Sequence, residues 1–113
     1  GRLTEFRNAF IAVGIYPNAN GNQFYPTALA AATDNTSIYP GVKNWQTRAT
    51  AIGTGYDGYD IWGVCWNFNL LNYEAAEPGA WAHNSKYAGR LIYDGIVALG
   101  GTPSTTNFPG GRP

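Results

Sequence analysis

The stretch "YDIWGVCWNFNLLNYEAA", residues 59–76, decides how the fold is read. Ile61, Cys65, Phe68 and Leu71 or Asn72 recur at intervals of three and four, which places their side chains on one face of an α-helix. Gly63 and the β-branched residues weaken helix propensity, so a buried strand competes for the same run. The period and the length of the segment favour a helix of roughly four turns.

Outward from this segment the pattern stays helical. "LTEFRNAFIAVG" puts Leu3, Phe6, Phe10 and Val13 on one face, with Thr4 as an N-cap and Gly14 as the stop. The two Tyr-Pro pairs of "IYPNANGNQFYPTALAAAT" bracket an Asn/Gly turn and read as a loop, followed by a helical turn over residues 27–32. "VKNWQTRATAI" can align Val42, Trp45, Ala49 and Ile52 on one side, as a short helix or an extended arm. After the "EPGA" turn, "NSKYAGRLIYDGIVALGG" carries an apolar stripe of Tyr87 or Ala88, Leu91, Ile92, Ile96 and Leu99. Asn84 or Ser85 caps its start, and Gly100 and Gly101 end it. The expected fold is mainly α: a small single domain of three or four short helices with long ordered loops over residues 1–102. Residues 103–113 read as an irregular C-terminal tail unless they dock.

A chain of 113 residues is long enough for one modest core. Charged residues are only 12%, seven of each sign, so the chain lacks a basic footprint for nucleic acid or a membrane surface. Four Trp, eight Tyr and five Phe supply both core volume and rings that tolerate a half-wet surface against a partner. No apolar run reaches the ~20 residues of a membrane span. The chain starts at Gly1 and has no methionine, so a signal sequence, a larger N-terminal part, or both are expected ahead of it.

Groups that carry chemistry are few. Cys65 is the single cysteine and sits among apolar neighbours, which reads as a buried, inert thiol. Asp57 and Asp60 lie one helical turn apart at a loop-to-helix junction, and Glu74 and Glu77 flank a turn. Capping and surface roles suit both pairs better than a cation site. "GTGYDG" lacks the strand, helix and downstream acid of a dinucleotide site. There is no GxSxG or HExxH motif and no short-range Cys-His couple, so the chain is not expected to be an enzyme on its own.

The single histidine, His83, has three readings. It can be a turn residue satisfying backbone groups at the entry to the last helix. It can be a distal haem ligand, hence a metal-binding residue, with Trp81, Tyr87 and Tyr93 packing on a porphyrin face. As a general base it would lack a visible nucleophile.

The segment "WNFNLLNYEAAEPGAWAHNSKYAGRLIYDGIVAL" resembles the closing part of multihaem c-type cytochromes, the CxxCH-rich proteins of metal-reducing bacteria. Those chains end in an aromatic-Asn-x-Asn-Leu-Leu run, EPGA, an aromatic followed by Ala-His-Asn, and a Tyr..Arg-Leu-Ile-Tyr-Asp helix. The similarity spans about residues 61–99, and "LTEFRNAFIAVGIYP", "FYPTAL" and Asn44-Trp45 follow the family more loosely. This chain has no CxxCH motif, and its "NYEAAEPGA" turn is longer than the family's. The resemblance therefore implies the haem-free C-terminal segment of an extracytoplasmic electron-transfer protein. Any haem c would be carried by a missing N-terminal part or a partner chain, with none attached covalently here. The implied partner is a haem-bearing polypeptide or an identical subunit, on the periplasmic or outer surface. The family gives the histidine of "AHN" no settled role.

Two further readings come from other classes. "EFRNAFIAVGIYP" followed by "YPTAL" resembles the helix-to-loop passage of a pilin-like globular part, which would make the chain a structural subunit of a surface filament. An aromatic-lined glycan-binding module would need Trp45, Trp62 or Trp81 exposed in a row.

Overall fold

The computed structural model describes residues 1–28, 42–75 and 80–113, excepting the side chains of 42–44, 73–75 and 80–84. Four helices and one small hairpin stand among them, in a mainly helical arrangement: α1 (Arg2–Ala12), β1 (Tyr16–Pro17), β2 (Phe24–Tyr25), α2 (Val42–Ile52), α3 (Gly58–Ala75) and α4 (Ala80–Ala98). Helix α3 is the central element and packs on α1, α2 and α4, while α1 also lies against α4.

The period of residues 59–76 is realised as the 18-residue α3, with Ile61, Val64, Cys65, Phe68 and Leu71 buried. Its start is fixed by a reciprocal pair. The Asp60 N–H donates to Asp57 Oδ1 at 2.9 Å, and the Asp57 N–H donates to Asp60 Oδ2 at 3.1 Å. This is the capping-box arrangement built from two aspartates, and it satisfies two amides that a helix start otherwise leaves unpaired.

The centre of the core is aromatic. Phe68 of α3 meets the edges of Phe6 and Phe10 at ring-centroid distances of 5.2 and 5.3 Å, and Phe24 of β2 at 6.2 Å. Phe6 and Phe10 stack on each other at 5.2 Å, and Trp45 of α2 meets Phe24 edge-on at 6.4 Å. Edge-to-face contacts add about 0.5–1.5 kcal/mol per pair beyond the area they bury. Five rings from four elements thus lock α1, the hairpin, α2 and α3 together.

Helices α1 and α4 end in the same way. The Gly14 N–H donates to Ile11 and the Ile15 N–H to Phe10. The Gly100 N–H donates to Val97 and the Gly101 N–H to Ile96. Gly14 and Gly100 have φ of 78° and 85°, which only glycine adopts without strain. Both stops are legible as glycines in the sequence.

Three expectations are corrected and one alternative is decided. Thr4 is not an N-cap, because α1 is already helical at Arg2 and starts from Gly1. Helix α4 begins at Ala80, so Asn84 and Ser85 lie inside it rather than cap it. The helix-favouring Ala-Trp-Ala run after Gly79 extends it backward. Of the alternatives Tyr87 or Ala88, the buried stripe of α4 takes Ala88, and Tyr87 is exposed. The Tyr-Pro loop contains a short antiparallel ladder, Tyr16 opposite Tyr25 and Pro17 opposite Phe24, as the extended bias of residues before proline allows. The helical turn expected over residues 27–32 falls mostly outside the described residues, as do Glu77 and the "EPGA" turn.

The tail carries no regular structure after α4, yet it docks. Phe108 is buried, with the Arg2 guanidinium 4.7 Å above its ring and Tyr93 meeting it edge-on at 5.3 Å. The Glu5 carboxylate accepts from the Ser104 N–H at 2.6 Å, the Ser104 hydroxyl at 2.9 Å and Asn107 Nδ2 at 2.6 Å. Arg2 Nε donates to the Asn107 carbonyl, Arg90 Nε to the Pro113 oxygen, and Arg112 pairs with Asp94 at 2.8 Å.

Two outcomes follow from this packing. At Gly95 an added Cβ would lie 2.5 and 2.6 Å from ring atoms of buried Phe6. Alanine gains about 1 kcal/mol of helix propensity over glycine, but overpacking a closed core costs about 1–3 kcal/mol. Gly95→Ala is therefore expected to lower the urea midpoint, and an unchanged or raised midpoint would contradict the close approach. Burial raises the Glu5 pKa, but the hydrogen bonds from Asn107 and Ser104 lower it by more, and the net shift is downward. A depressed folded pKa contributes stability above the unfolded value of about 4.3, and that contribution fades as pH falls through the folded value. Glu5→Gln should cost about 1 kcal/mol at neutral pH, and its deficit against the parent should shrink below about pH 4 in urea titrations.

Candidate functional site

Helix α3 has a second apolar face. Tyr59, Trp62, Trp66 and Leu70 follow one another at intervals of three, four and four, opposite the buried residues of the same helix. They are 67, 39, 57 and 40% exposed. The stripe is about 16 Å long at the helical rise per residue, and none of its side chains is charged. The indoles of Trp62 and Trp66 lie side by side, with ring centroids 5.9 Å apart and planes inclined by 31°.

Between this stripe and the hairpin lies a groove of about 300 Å³, lined by Asn22, Gln23, Phe24, Trp62, Cys65, Trp66 and Asn69. One wall is the turn joining β1 to β2, whose position is strongly specified. Asn18 Oδ1 accepts from the Asn22 and Gln23 N–H groups, and the Asn18 N–H donates to the Gln23 carbonyl. Arg7 donates to the carbonyls of Pro17, Asn18 and Ala19 while its guanidinium sits 5.2 Å from the Phe68 ring centroid. Asn72 Nδ2 donates to the Asn20 carbonyl at 2.6 Å. Gly21, with φ of 74°, lets the turn press on α3, since a Cβ there would stand 2.9 Å from Phe68.

The residues singled out in the sequence fall as follows. His83 and Trp81 belong to the first turn of α4, and their side chains lie outside the described residues. Tyr87 follows His83 by one helical turn and is 60% exposed. His83 is therefore a helix residue rather than a corner residue. Trp45, expected as one member of an exposed row of indoles, is buried at 2% exposure. That removes Trp45 from the row a glycan-binding module would need; Trp62 is exposed and stands beside Trp66, and the Trp81 side chain lies outside the described residues. Trp66 escaped the sequence reading, although its spacing of four from Trp62 marks it. Asp57 and Asp60 cap α3. Among the described residues, no three of His, Cys, Asp and Glu cluster to hold a metal ion, and no helix is long and apolar enough to cross a membrane.

Cys65 forms part of the groove lining but is itself fully buried, and burial pushes its thiol well above the usual range. A thiol held protonated is a poor nucleophile. Comparison of the chain with family models, with curated proteins and with solved structures finds no match.

Native protein should leave Cys65 unmodified by a thiol-exchange reagent over minutes and react stoichiometrically once denaturant unfolds it. Rapid labelling of the native state would contradict the burial.

Proposed function

We propose that the chain is the haem-free closing module of an extracytoplasmic multihaem electron-transfer protein, and that the outer face of α3 packs against the haem-bearing part or partner chain. The observation that carries this reading is the second apolar face of α3. A helix with a buried apolar face and a second, exposed apolar stripe fits a larger structure, because two indoles, a phenol and a leucine exposed in register form a patch suited to a partner. Trp and Tyr are also the residues most enriched where two proteins meet. The identity of the larger structure comes from the closing pattern over residues 61–99, which resembles that of multihaem c-type cytochromes. In this reading electron transfer belongs to the assembly, and this module covers and positions its haem-bearing neighbour. His83 contributes a distal ligand only if its ring reaches an iron at bonding distance.

A filament subunit of the pilin-like class would use the same face against identical copies, so the two readings part on cofactor content. Material purified from its natural source, with its neighbours attached, should give the pyridine haemochrome spectrum of c-type haem. Trp66→Ala should weaken retention of the haem-bearing part. A haem-free native preparation overturns the proposal and leaves an assembly of identical copies to be sought by its sedimentation.

A further inference from the structure

We infer that the groove between α3 and the β1–β2 turn is a recognition site for an extended, proline-rich peptide segment. The inference rests on the docking reading above, and it supplies the chemistry of the partner segment that would enter the face.

The lining is neutral: two indoles, a phenylalanine, a buried thiol and three amide side chains. A charged ligand would find no counter-charge among these residues, so a phosphate, an acidic peptide and a basic peptide are all poor occupants. The hydrogen-bonding groups left open are weighted toward donors. The N–H groups of Trp62 and Trp66 have no protein acceptor among the described residues, and an indole N–H can only donate. The Asn22 carbonyl oxygen already accepts from Asn18 Nδ2 at 2.9 Å, which leaves its NH2 group open. The Asn69 and Gln23 amides, likewise without side-chain partners among the described residues, add a donor and an acceptor each.

The complementary ligand is apolar, uncharged, rich in acceptors and poor in donors. A polyproline II segment has these properties, because proline lacks the amide N–H while every carbonyl remains solvated and free to accept. The two indoles, with centroids 5.9 Å apart, offer adjacent apolar rings against which the pyrrolidines of such a strand can pack, the way aromatic-lined grooves receive polyproline II. The segment is already extended before it binds, so little chain entropy is lost on docking, which suits a shallow groove of this volume.

The site is also built in advance. The turn carrying Asn22 and Gln23 is held by Asn18, Arg7 and Asn72, and Phe24 is fixed in the aromatic core. The walls of the groove therefore need no rearrangement to accept a strand.

The test is a titration of the full chain with a blocked oligoproline peptide of about ten residues. A Gly/Ser peptide of equal length and a cello-oligosaccharide serve as the comparison ligands. The expected result is saturable binding of oligoproline alone, with the indole N–H resonances of Trp62 and Trp66 shifting together. Trp66→Ala should weaken it by at least about tenfold, and so should Asn69→Leu, which removes a donor at similar size. Both positions are only partly buried or exposed, and an unchanged thermal melt verifies that each variant folds. No saturable binding, equal binding of the Gly/Ser peptide, or binding of the sugar in preference to oligoproline each overturns the inference. A haem-bearing native preparation whose isolated chain ignores oligoproline removes this inference and leaves the docking reading standing. A haem-free preparation that binds oligoproline does the reverse.

Discussion

The aromatic core is organised around the ring of Phe68. Its edges and faces meet Phe6 and Phe10 from α1 and Phe24 from β2, the Arg7 guanidinium lies over it, and Gly21 gives up a side chain so that the turn can approach it. The helix carrying Phe68 must therefore be placed before the hairpin, α1 and the groove can be. Since aromatic pairs prefer edge-to-face geometry over arbitrary contact, this cluster fixes orientation as well as burial. A chain with only 12% charged residues has little else with which to specify how its helices cross.

That constraint explains why the outer face of α3 is both exposed and well defined. The inner face is held at Phe68 by three rings and an arginine, so the outer residues cannot rotate inward to hide their apolar area. Tyr59, Trp62, Trp66 and Leu70 stay at the surface because Ile61, Val64, Cys65, Phe68 and Leu71 occupy the interior. The proposed docking role is the functional side of the same geometry: what the core cannot cover is left for a neighbour.

The fold was legible where the physics is local. The three-four period of α3, the glycine stops of α1 and α4 and the Asp57–Asp60 cap all follow from spacing and backbone preference. The features that depend on partners far along the chain were not. Phe108 and Ser104 lie in a stretch without periodicity, and they are placed by residues far from them in sequence: Ser104 by the Glu5 carboxylate, and Phe108 by Arg2 and Tyr93. The spacing of Val42, Trp45, Ala49 and Ile52 put Trp45 on an apolar side, but its contact with Phe24 across the core is not written in its neighbours. The candidate site was half legible. Trp62 was noticed, whereas Trp66, Asn69 and the Asn22–Gln23 turn join it only through the tertiary placement of the hairpin.

The strapped tail has a topological consequence. Position 89 on α4 is glycine, and a side chain there would strike both the Arg2 guanidinium and the Pro113 ring, at 2.6 and 3.1 Å. The first and last segments of the chain thus meet over one spot on one helix, and the polypeptide traces a nearly closed loop. A side chain at position 89 would push on the start of α1 and on the docked tail at once, so this one glycine couples the seating of both against α4.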